Sequence, residues 1–366
     1  MKKIILILSN NDGGLFNFRK ELICKLLESG NIVYVSVPKG RFVEKLEELG
    51  CIHVDTPMNR RGKNPISDIK LLLNYINLIK KLKPDVVLTY TIKPNIYGGI
   101  ACSLLKVPYI TNITGLGTSI ENKGLIQKIS LYLYKIGIMK AECIFFQNEA
   151  NMNFFIKRKI ANNKIRLIPG SGVNLKKFTF EEYPPDDEVM RFLFVGRIMK
   201  AKGIDELVNA SQIIKKEFSN VQFDIIGSME EDYTNSFQEL ITNNVINYLG
   251  SQKDVHSFMK NSHAIIHPSH HEGMSNVLLE AAATGRPVIA SKIPGCIETF
   301  DENVSGIGFE VKNVDSLVKA IKKFIELPYE EKKKMGIAGR KKIEKEFDRN
   351  IVIDAYMDEI EKIIGG

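Results

Sequence analysis

The sequence predicts an α/β protein built from two doubly wound domains, and three observations support this prediction. The chain has 366 residues, which suits two domains of ordinary size. Short β-branched runs alternate with segments of helical periodicity in both halves, which is typical of parallel sheets covered by helices. The charge also changes sign, because residues 1–180 carry 28 Lys and Arg against 12 Asp and Glu and the remainder carries 23 against 31. A basic half joined to an acidic half indicates that the first half faces an anionic partner.

The composition indicates a soluble globular protein in a reducing compartment. Apolar residues make up 44% of the chain and charged residues 26%. The five cysteines are scattered without a C-x-x-C pair, so we interpret them as small buried residues. Lys2 and Lys3 precede only five apolar residues, too few for a secretory signal, and no apolar run approaches the ~20 residues of a spanning helix. We therefore expect a cytoplasmic protein.

The first half contains six predicted strands. They lie at residues 3–8, 32–37, 85–89, 109–113, 143–147 and 164–168. The loop at residues 9–14 follows the first strand and is predicted to lead into a helix beginning near Asn17. Doubly wound sheets bind phosphates at the carboxyl ends of their strands, and Gly13 and Gly14 allow a ligand to approach the backbone closely. We therefore take these glycines as candidate ligand-binding residues, with a plain tight turn as the alternative.

A basic cluster formed by Arg60, Arg61 and Lys63 precedes Pro65 and an amphipathic helix that extends to about Lys83. We interpret the apolar stripe of this helix as facing the core. The cluster is predicted to contact phosphate or lipid headgroups, since each basic residue contributes about 1 kcal/mol at an anionic membrane surface. A solvated loop is the alternative.

Two later strand ends carry further polar residues. The segment T-I-K-P-N-I-Y-G at residues 91–98 places Lys93 and Asn95 where such sheets bind ligands. Thr114 follows the next strand, in N-I-T-G-L-G at residues 112–117. A helix is predicted at residues 121–140; its apolar stripe is interpreted as core, with contact to lipid as the alternative.

The acidic, proline-containing segment at residues 179–189 is predicted to link the two halves, because the charge balance changes there. We expect a first domain at residues 1–180, a second at residues 181–346 and a final amphipathic helix within residues 347–366. Strands of the second domain are predicted at residues 191–195, 221–226, 246–249, 263–267, 287–290 and 306–309.

The segment H-H-E-G-M-S-N-V-L-L-E-A-A-A-T-G-R-P at residues 270–287 is predicted to be a loop followed by a capped helix. Ser275 can cap the helix, and Gly285 and Pro287 can end it. The unpaired N–H groups at such a helix start are suited to bind an anion. Candidate residues at this mouth are Gly273, Met274, Ser275, Asn276 and Val277. Glu272 and Glu280 flank the mouth and are expected to accept hydrogen bonds from hydroxyls, so the combination points to a nucleotide sugar.

These residues carry a resemblance to a known family. E-G-x-S-N-x-x-L-E at residues 272–280 resembles the signature of retaining glycosyltransferases of family 4, which have the GT-B fold. Upstream, G-R-x-x-x-x-K-G at residues 196–203 is similar to the family's diphosphate clamp, with Arg197 and Lys202 as its cations. T-x-K-P-N-x-Y-G resembles a subgroup that builds bacterial surface or protein-linked glycans.

The resemblance implies two Rossmann-like domains facing a central cleft, with the last helix crossing back to the first domain. It implies that Arg197 and Lys202 stabilise the departing diphosphate, that Glu280 binds the ribose and that Glu272 binds the donor sugar. The expected reaction retains the anomeric configuration and transfers a hexose or N-acetylhexosamine from a UDP-sugar. The expected acceptor is a polyprenyl-diphosphate-linked saccharide, which suits the basic first domain and a peripheral location on the inner face of the plasma membrane.

One position departs from the family pattern. Many members have a His where Thr114 stands, and a threonine cannot titrate, so a catalytic histidine is not expected at this position. Four histidines lie at positions 263, 267, 270 and 271, but they form no H-E-x-x-H motif, and no D-x-D motif occurs in the chain. We interpret His263 and His267 as core residues of a buried strand. No metal and no cofactor are expected.

Other functions remain open from the sequence. The same transfer to a soluble acceptor would need no membrane contact. A nucleotide-sugar 2-epimerase shares the GT-B architecture, although such enzymes are not expected to combine the clamp with the two glutamates. A two-lobed sugar-binding protein is the non-enzymatic alternative and would normally be exported. Nucleic-acid binding is disfavoured because no known binding motif accompanies the basic residues.

Overall fold

Two parallel β-sheets organise the chain. The computed structural model describes residues 2–59, 64–115, 124–161, 164–186 and 189–365. The chain divides into a first unit, Met1–Ser171 with Asn350–Gly366, and a second unit, Gly172–Arg349. Each unit contains one sheet, which confirms the predicted α/β class with two Rossmann-like domains.

Within the described residues, the first sheet has seven strands in the order β3-β2-β1-β4-β5-β6-β7, and the second has six in the order β10-β9-β8-β11-β12-β13. The strands are β1 Ile4–Leu8, β2 Ile32–Val37, β3 Ile52–Asp55, β4 Val86–Tyr90, β5 Tyr109–Ile113, β6 Cys143–Phe146, β7 Ile165–Leu167, β8 Met190–Val195, β9 Val221–Ile226, β10 Asn247–Tyr248, β11 Ala264–His267, β12 Val288–Ser291 and β13 Gly306–Phe309. Both orders reverse next to the first strand of the sheet, between β1 and β4 and between β8 and β11. Such reversals are the switch points at which doubly wound folds bind ligands.

Helices cover both faces of each sheet. They are α1 Asp12–Glu28, α2 Val43–Glu48, α3 Pro65–Leu82, α4 Gly99–Leu105, α5 Leu125–Ile138, α6 Glu149–Lys157, α7 Ile204–Glu217, α8 Thr234–Thr242, α9 His256–Lys260, α10 Asn276–Ala283, α11 Val314–Glu326, α12 Tyr329–Glu346 and α13 Arg349–Ile364. None of the described helices is both long enough and apolar enough to cross a membrane.

Interior strands such as β4, β5, β11 and β12 are buried on both faces, which explains their continuous apolar runs. In β1, Ile5 and Ile7 face one core, whereas Leu6 and Leu8 face the other. The last helix, α13, belongs to the first unit. Its Tyr356 packs on the ring of Phe145, with 4.5 Å between centroids.

The start of α1 differs from the prediction. The helix begins at Asp12 rather than near Asn17, because the Asn11 side chain caps it and accepts the Gly14 N–H at 2.6 Å. Gly13 and Gly14 therefore lie in the first helical turn rather than in a loop. A Cβ on Gly13 would lie 3.1 Å from the Phe42 ring, so packing also requires a small residue there.

Two other elements differ from the sequence-based expectations. Strand β3 was not predicted, because a four-residue edge strand that includes His53 and Asp55 carries little apolar signal. The segment after Thr179, predicted as a linker, belongs to the second unit, since the chain passes between the units at Ser171–Gly172. There the hydroxyl of Tyr183 donates to the carbonyl of His263 at 2.9 Å.

Helix α3 has apolar residues on two opposite faces, whereas the prediction recognised only a core-facing stripe. Leu71, Tyr75 and Ile79 are buried. A second stripe, which we call the outer stripe, consists of Ile66, Ile69 and Leu73, exposed by 77%, 59% and 53%. Because a helix turns 100° per residue, these three side chains share one face and lie opposite the buried ones.

Candidate functional site

The candidate site lies at the switch point of the second sheet. Strands β8 and β11 are neighbours, with Leu193 paired to Ile265. Arg197 follows β8 within two residues, and the loop that carries Glu272 follows β11. The topology therefore brings both sequence motifs to one edge of the same sheet.

Close backbone packing joins the two loops. A short 3-10 helix at Lys200–Lys202 ends at Gly203, whose φ is +74°. A Cβ at this glycine would lie 2.0 Å from the carbonyl oxygen of Pro268, so both the conformation and the packing require glycine. The His270 N–H also donates to the Ala201 carbonyl at 3.0 Å. The clamp turn is thus held directly against the glutamate loop.

Lys202 and Glu272 form the centre of the site. The Lys202 ammonium donates a hydrogen bond to Glu272 Oε1. The same oxygen lies 3.0 Å from His267 Nε2. Only 18% of the Lys202 side chain and 13% of the Glu272 side chain are exposed. The structure therefore brings together two residues that the motifs had placed seventy positions apart.

Glu272 is held in its ionised form. Burial alone would raise its pKa, but the hydrogen bond from His267 and the charge of Lys202 outweigh burial and lower the pKa to about 2. An ionised carboxylate only accepts hydrogen bonds, which is the property needed to bind hydroxyl groups.

Arg197 occupies a more open position. Its side chain is 45% exposed, and its Nη1 lies 3.1 Å from a carboxylate oxygen of Glu230, in the loop after β9. The neighbouring Glu231 accepts the Lys200 N–H at 2.8 Å. Arg197 and Lys202 thus both bond to carboxylates in this structure, and a phosphate would compete with those carboxylates for the two cations.

The structure confirms the predicted helix after the glutamate loop. Ser275 caps α10, with its Oγ accepting from Leu278 N–H at 3.4 Å, and Gly285 ends it with a φ of +81°. One detail is corrected. The Ser275 N–H, which we expected at the anion site, donates to the Gly295 carbonyl at 2.8 Å. The first turn still leaves the N–H groups of Asn276 and Val277 without intrahelical acceptors.

The remaining residues of the mouth have different environments. The Met274 side chain is 6% exposed and packs in the core beneath α10, so its side chain faces away from solvent. Gly273 and Gly295 are in close contact, since a Cβ on Gly295 would lie 2.8 Å from the Gly273 carbonyl. Only backbone groups of this stretch are therefore suited to meet a ligand.

Glu280 lies in α10 and is half-buried. Burial raises its pKa to about 7, although the charges of Lys177 and Arg349 lower it. Its carboxylate therefore changes protonation near neutral pH, unlike that of Glu272.

The predicted residues of the first unit show varied roles. Lys93 forms an ion pair with Asp68 at 2.7 Å and lines a cavity of about 410 Å³ beside α3. Asn95 is fully buried and its amide donates to the Asn112 carbonyl at 2.8 Å, which makes it a packing residue. Thr114 follows β5 and is half-buried. Arg60, Arg61 and Lys63 lie outside the described residues.

Sequence reasoning missed several residues of the second unit. His263 is a core residue as predicted, its Nδ1 accepting the Arg191 N–H at 3.0 Å. His267 is also buried in its strand as predicted, but its bond to Glu272 was not foreseen. His270 lies 3.1 Å from Glu206 on α7. The sequence contained one signal for the contact with Glu272, because His267 is a histidine at the carboxyl end of a strand next to the switch point.

Among the residues that the structure describes, no cluster of three His, Cys, Asp or Glu side chains is arranged to hold a metal ion.

Comparisons with known proteins agree with this arrangement. The family model described as glycosyl transferases group 1 matches residues 176–342, which include the site. A second model, described as glycosyl transferase 4-like, matches residues 5–148.

Relatives cover most of the chain. A Campylobacter jejuni protein named N,N'-diacetylbacillosaminyl-diphospho-undecaprenol alpha-1,3-N-acetylgalactosaminyltransferase is 26% identical, with 98% of both chains covered. The Staphylococcus aureus capsular polysaccharide biosynthesis glycosyltransferase CapM is 30% identical over 78% of this chain and 79% of CapM. The crystal structure of Anabaena HepE in complex with UDP has the same fold, with a TM-score of 0.82 at 18% identity and coverage of 99% and 100%. With both halves matched and CapM similar over most of its length, the chain belongs to the group 1 glycosyltransferases.

Proposed function

We propose that this glycosyltransferase moves a hexose or N-acetylhexosamine from a UDP-sugar to a polyprenyl-diphosphate-linked saccharide, with retention at the anomeric carbon. The observation that carries the proposal is the Lys202–Glu272 pair beside the start of α10. The Campylobacter relative is named for an undecaprenyl-diphosphate-linked substrate, and the HepE structure contains UDP. Both support the choice of donor and acceptor class.

The cations would act on the leaving group. Departure of the sugar concentrates negative charge on the β-phosphate, and fixed cations aimed at that charge lower the barrier. Lys202 supplies a compact charge and Arg197 a planar fork, while the N–H groups of Asn276 and Val277, which have no acceptor within the helix, add backbone donors. We propose that Glu280 accepts from the ribose and that no metal is required, because these groups can neutralise the diphosphate.

Glu272 would bind the sugar rather than attack it. Its Oε1 already accepts from Lys202 and His267, which reduces its nucleophilicity. We therefore favour front-face substitution, in which an oxygen of the departing phosphate takes the proton of the acceptor hydroxyl. This reaction needs no titratable side chain where Thr114 stands.

A transfer experiment tests the proposed function. The purified protein is incubated with radiolabelled UDP-sugars and a lipid extract from the native host, and the organic phase is counted. Label in the organic phase supports a lipid-linked acceptor. Label confined to a water-soluble product would indicate a soluble acceptor, and conversion of the UDP-sugar to its 2-epimer without transfer would contradict the proposal.

We further propose that the first unit binds the inner face of the plasma membrane through the outer stripe of α3. Exposed Lys70 and Lys80 lie beside this stripe and suit anionic headgroups. On α5, Ile129 and Tyr132 are 51% and 66% exposed at helical spacing. Exposed apolar side chains bordered by lysines are typical of helices that lie in a membrane interface.

Replacing Leu73 with Glu is expected to weaken membrane binding about 10-fold, because the change removes apolar area and adds repulsion from anionic lipid. Co-sedimentation with phosphatidylglycerol vesicles measures the fraction of protein bound to the membrane. Val304→Glu is the matched control, since Val304 is 55% exposed in the second unit and should leave binding unchanged. A wild-type protein that stays in the supernatant would refute membrane docking.

UDP binding is expected to strengthen as pH rises from 6 to 8. Glu280, with a pKa of about 7, is mainly protonated at the lower pH and ionised at the higher pH, where it accepts ribose hydroxyls better. We expect the affinity for UDP, measured by calorimetry, to increase about 5- to 10-fold more in the wild type than in Glu280→Gln over this pH range. The variant is the reference because ionisation of UDP itself affects both proteins equally. An identical pH dependence in the variant would exclude Glu280 from the binding site.

A further inference from the structure

His267 lies in the buried interior of the second unit. It is the last residue of β11, an interior strand, and only 2% of it is exposed. Its Nε2 lies 3.0 Å from Glu272 Oε1 and 3.1 Å from Ser275 Oγ. The ring thus connects the sheet, the glutamate loop and the cap of α10.

The hydrogen bonds define which ring nitrogen carries the proton. The ionised carboxylate of Glu272 can only accept, so the proton lies on Nε2. The other nitrogen, Nδ1, is buried and has no hydrogen-bond partner among the described residues. A proton on Nδ1 would therefore be a buried donor without an acceptor, which is costly. Nε2 is therefore the ring nitrogen that donates to Glu272.

Lys202 and His267 donate to the same oxygen of Glu272, but only Lys202 is able to move away from it when a donor substrate binds. Lys202 is on a 3-10 turn with a flexible four-carbon stem, and a diphosphate would draw its ammonium away from Glu272. His267 cannot follow, because its ring is enclosed at the end of a buried strand. After Lys202 turns to the phosphate, His267 is the donor that still satisfies the largely buried carboxylate.

We propose that His267 is a positioning residue that holds the Glu272 carboxylate in place for a hydroxyl of the donor sugar while Lys202 engages the diphosphate. This inference rests on the proposed function, since it requires that Glu272 contact the sugar. It assigns a role in sugar recognition to a histidine outside both family motifs.

Two variants of similar polarity separate positioning from simple packing. The amide nitrogen of Gln can reach the position of Nε2, whereas that of Asn reaches only the position of Nδ1. His267→Gln should keep affinity for the UDP-sugar within about 3-fold of wild type. His267→Asn should weaken it about 10- to 100-fold, the range expected when a hydrogen bond to a charged group is lost. UDP alone lacks the sugar, so its affinity should stay unchanged in both variants.

Calorimetry measures the affinity of each variant for UDP and for one UDP-sugar. The UDP-sugar is whichever of UDP-N-acetylgalactosamine, UDP-galactose and UDP-glucose binds the wild type most tightly. Thermal melting identifies variants that fail to fold. In a Glu272→Ala background, His267→Asn should have no further effect, because the residue it positions is absent.

The outcomes distinguish the inference from the proposed function. If a folded His267→Asn variant binds the UDP-sugar like wild type, or if it loses affinity for UDP as strongly as for the UDP-sugar, the positioning role is wrong and the proposed function stands. A further loss of affinity on adding His267→Asn to Glu272→Ala would also refute it. A wild-type protein that binds neither UDP nor any of the three UDP-sugars would overturn both.

Discussion

Replacing Lys202 with Ala is expected to lower kcat/KM for sugar transfer by about 100- to 1,000-fold. The ammonium is the less exposed of the two clamp cations, at 18% against 45% for Arg197, and its flexible stem lets it move from Glu272 to a bound diphosphate. Loss of one donor to a developing negative charge typically has an effect of this size. Initial rates of label transfer from the UDP-sugar measure it.

The same 3-10 turn offers a matched control. Lys200 is exposed, and its backbone N–H, rather than its ammonium, contacts Glu231. Lys200→Ala removes the same charge two residues away and should leave transfer within about 2-fold of wild type. Equal losses in both variants would mean that general electrostatics, rather than a defined clamp, accounts for the contribution of Lys202.

Replacing Arg286 with Ala is expected to destabilise the second unit by about 3–5 kcal/mol. The side chain is completely buried, and within the part of the chain that the structure describes its guanidinium donates only to backbone carbonyls. The acceptors are the carbonyls of Glu181, Glu182, Met259, Lys260, Thr284 and Gly285, at 2.7–3.2 Å. Without the guanidinium, several of these carbonyls would remain buried without a donor.

Chemical denaturation followed by circular dichroism measures this change. Burial lowers the pKa of Arg286 to about 10, so the group is still charged at neutral pH. Arg286→Lys should rescue little stability, since an ammonium has three donors and cannot span the carbonyls that a planar guanidinium reaches. Arg191→Ala is the control, because Arg191 is half-buried and its side chain makes a hydrogen bond to Gln222. Comparable losses at positions 191 and 286 would contradict the assigned role.

The architecture was largely predictable because parallel strands buried on both faces leave continuous apolar runs. Strands such as β2 and β9 were predicted with their observed bounds. Helix α10 was predictable for a local reason, since Ser275 and Gly285 mark its two ends by capping chemistry. Strand β3 was missed because a four-residue edge strand with no buried residue and two polar side chains resembles a loop.

Features that depend on long-range contacts could not be predicted. Arg286 looks unremarkable in the sequence, since its carbonyl partners come from segments that meet only in the folded unit. The early start of α1 depends on the Asn11 cap, which the sequence contains but which the adjacent glycines obscured. The outer stripe of α3 was missed because the sequence does not show which apolar residues of a helix pack against the sheet and which stay exposed.

For the site, the motifs identified the cations and carboxylates but not their partners. The family resemblance indicated that Lys202 and Glu272 act together, and the topology explains why, because β8 and β11 are neighbours. The bond from His267 to Glu272 depends on the orientation of a ring at a strand end, which spacing does not determine. The same holds for the contact between Arg197 and Glu230.

The most direct test is a crystal structure of the protein with bound UDP. We predict that its diphosphate lies within hydrogen-bond distance of the Lys202 ammonium, the Arg197 guanidinium and the first N–H groups of α10. We also predict that Lys202 no longer contacts Glu272, whereas His267 keeps its hydrogen bond to Glu272. A diphosphate bound at any other place, with the Lys202–Glu272 pair intact, would contradict the account.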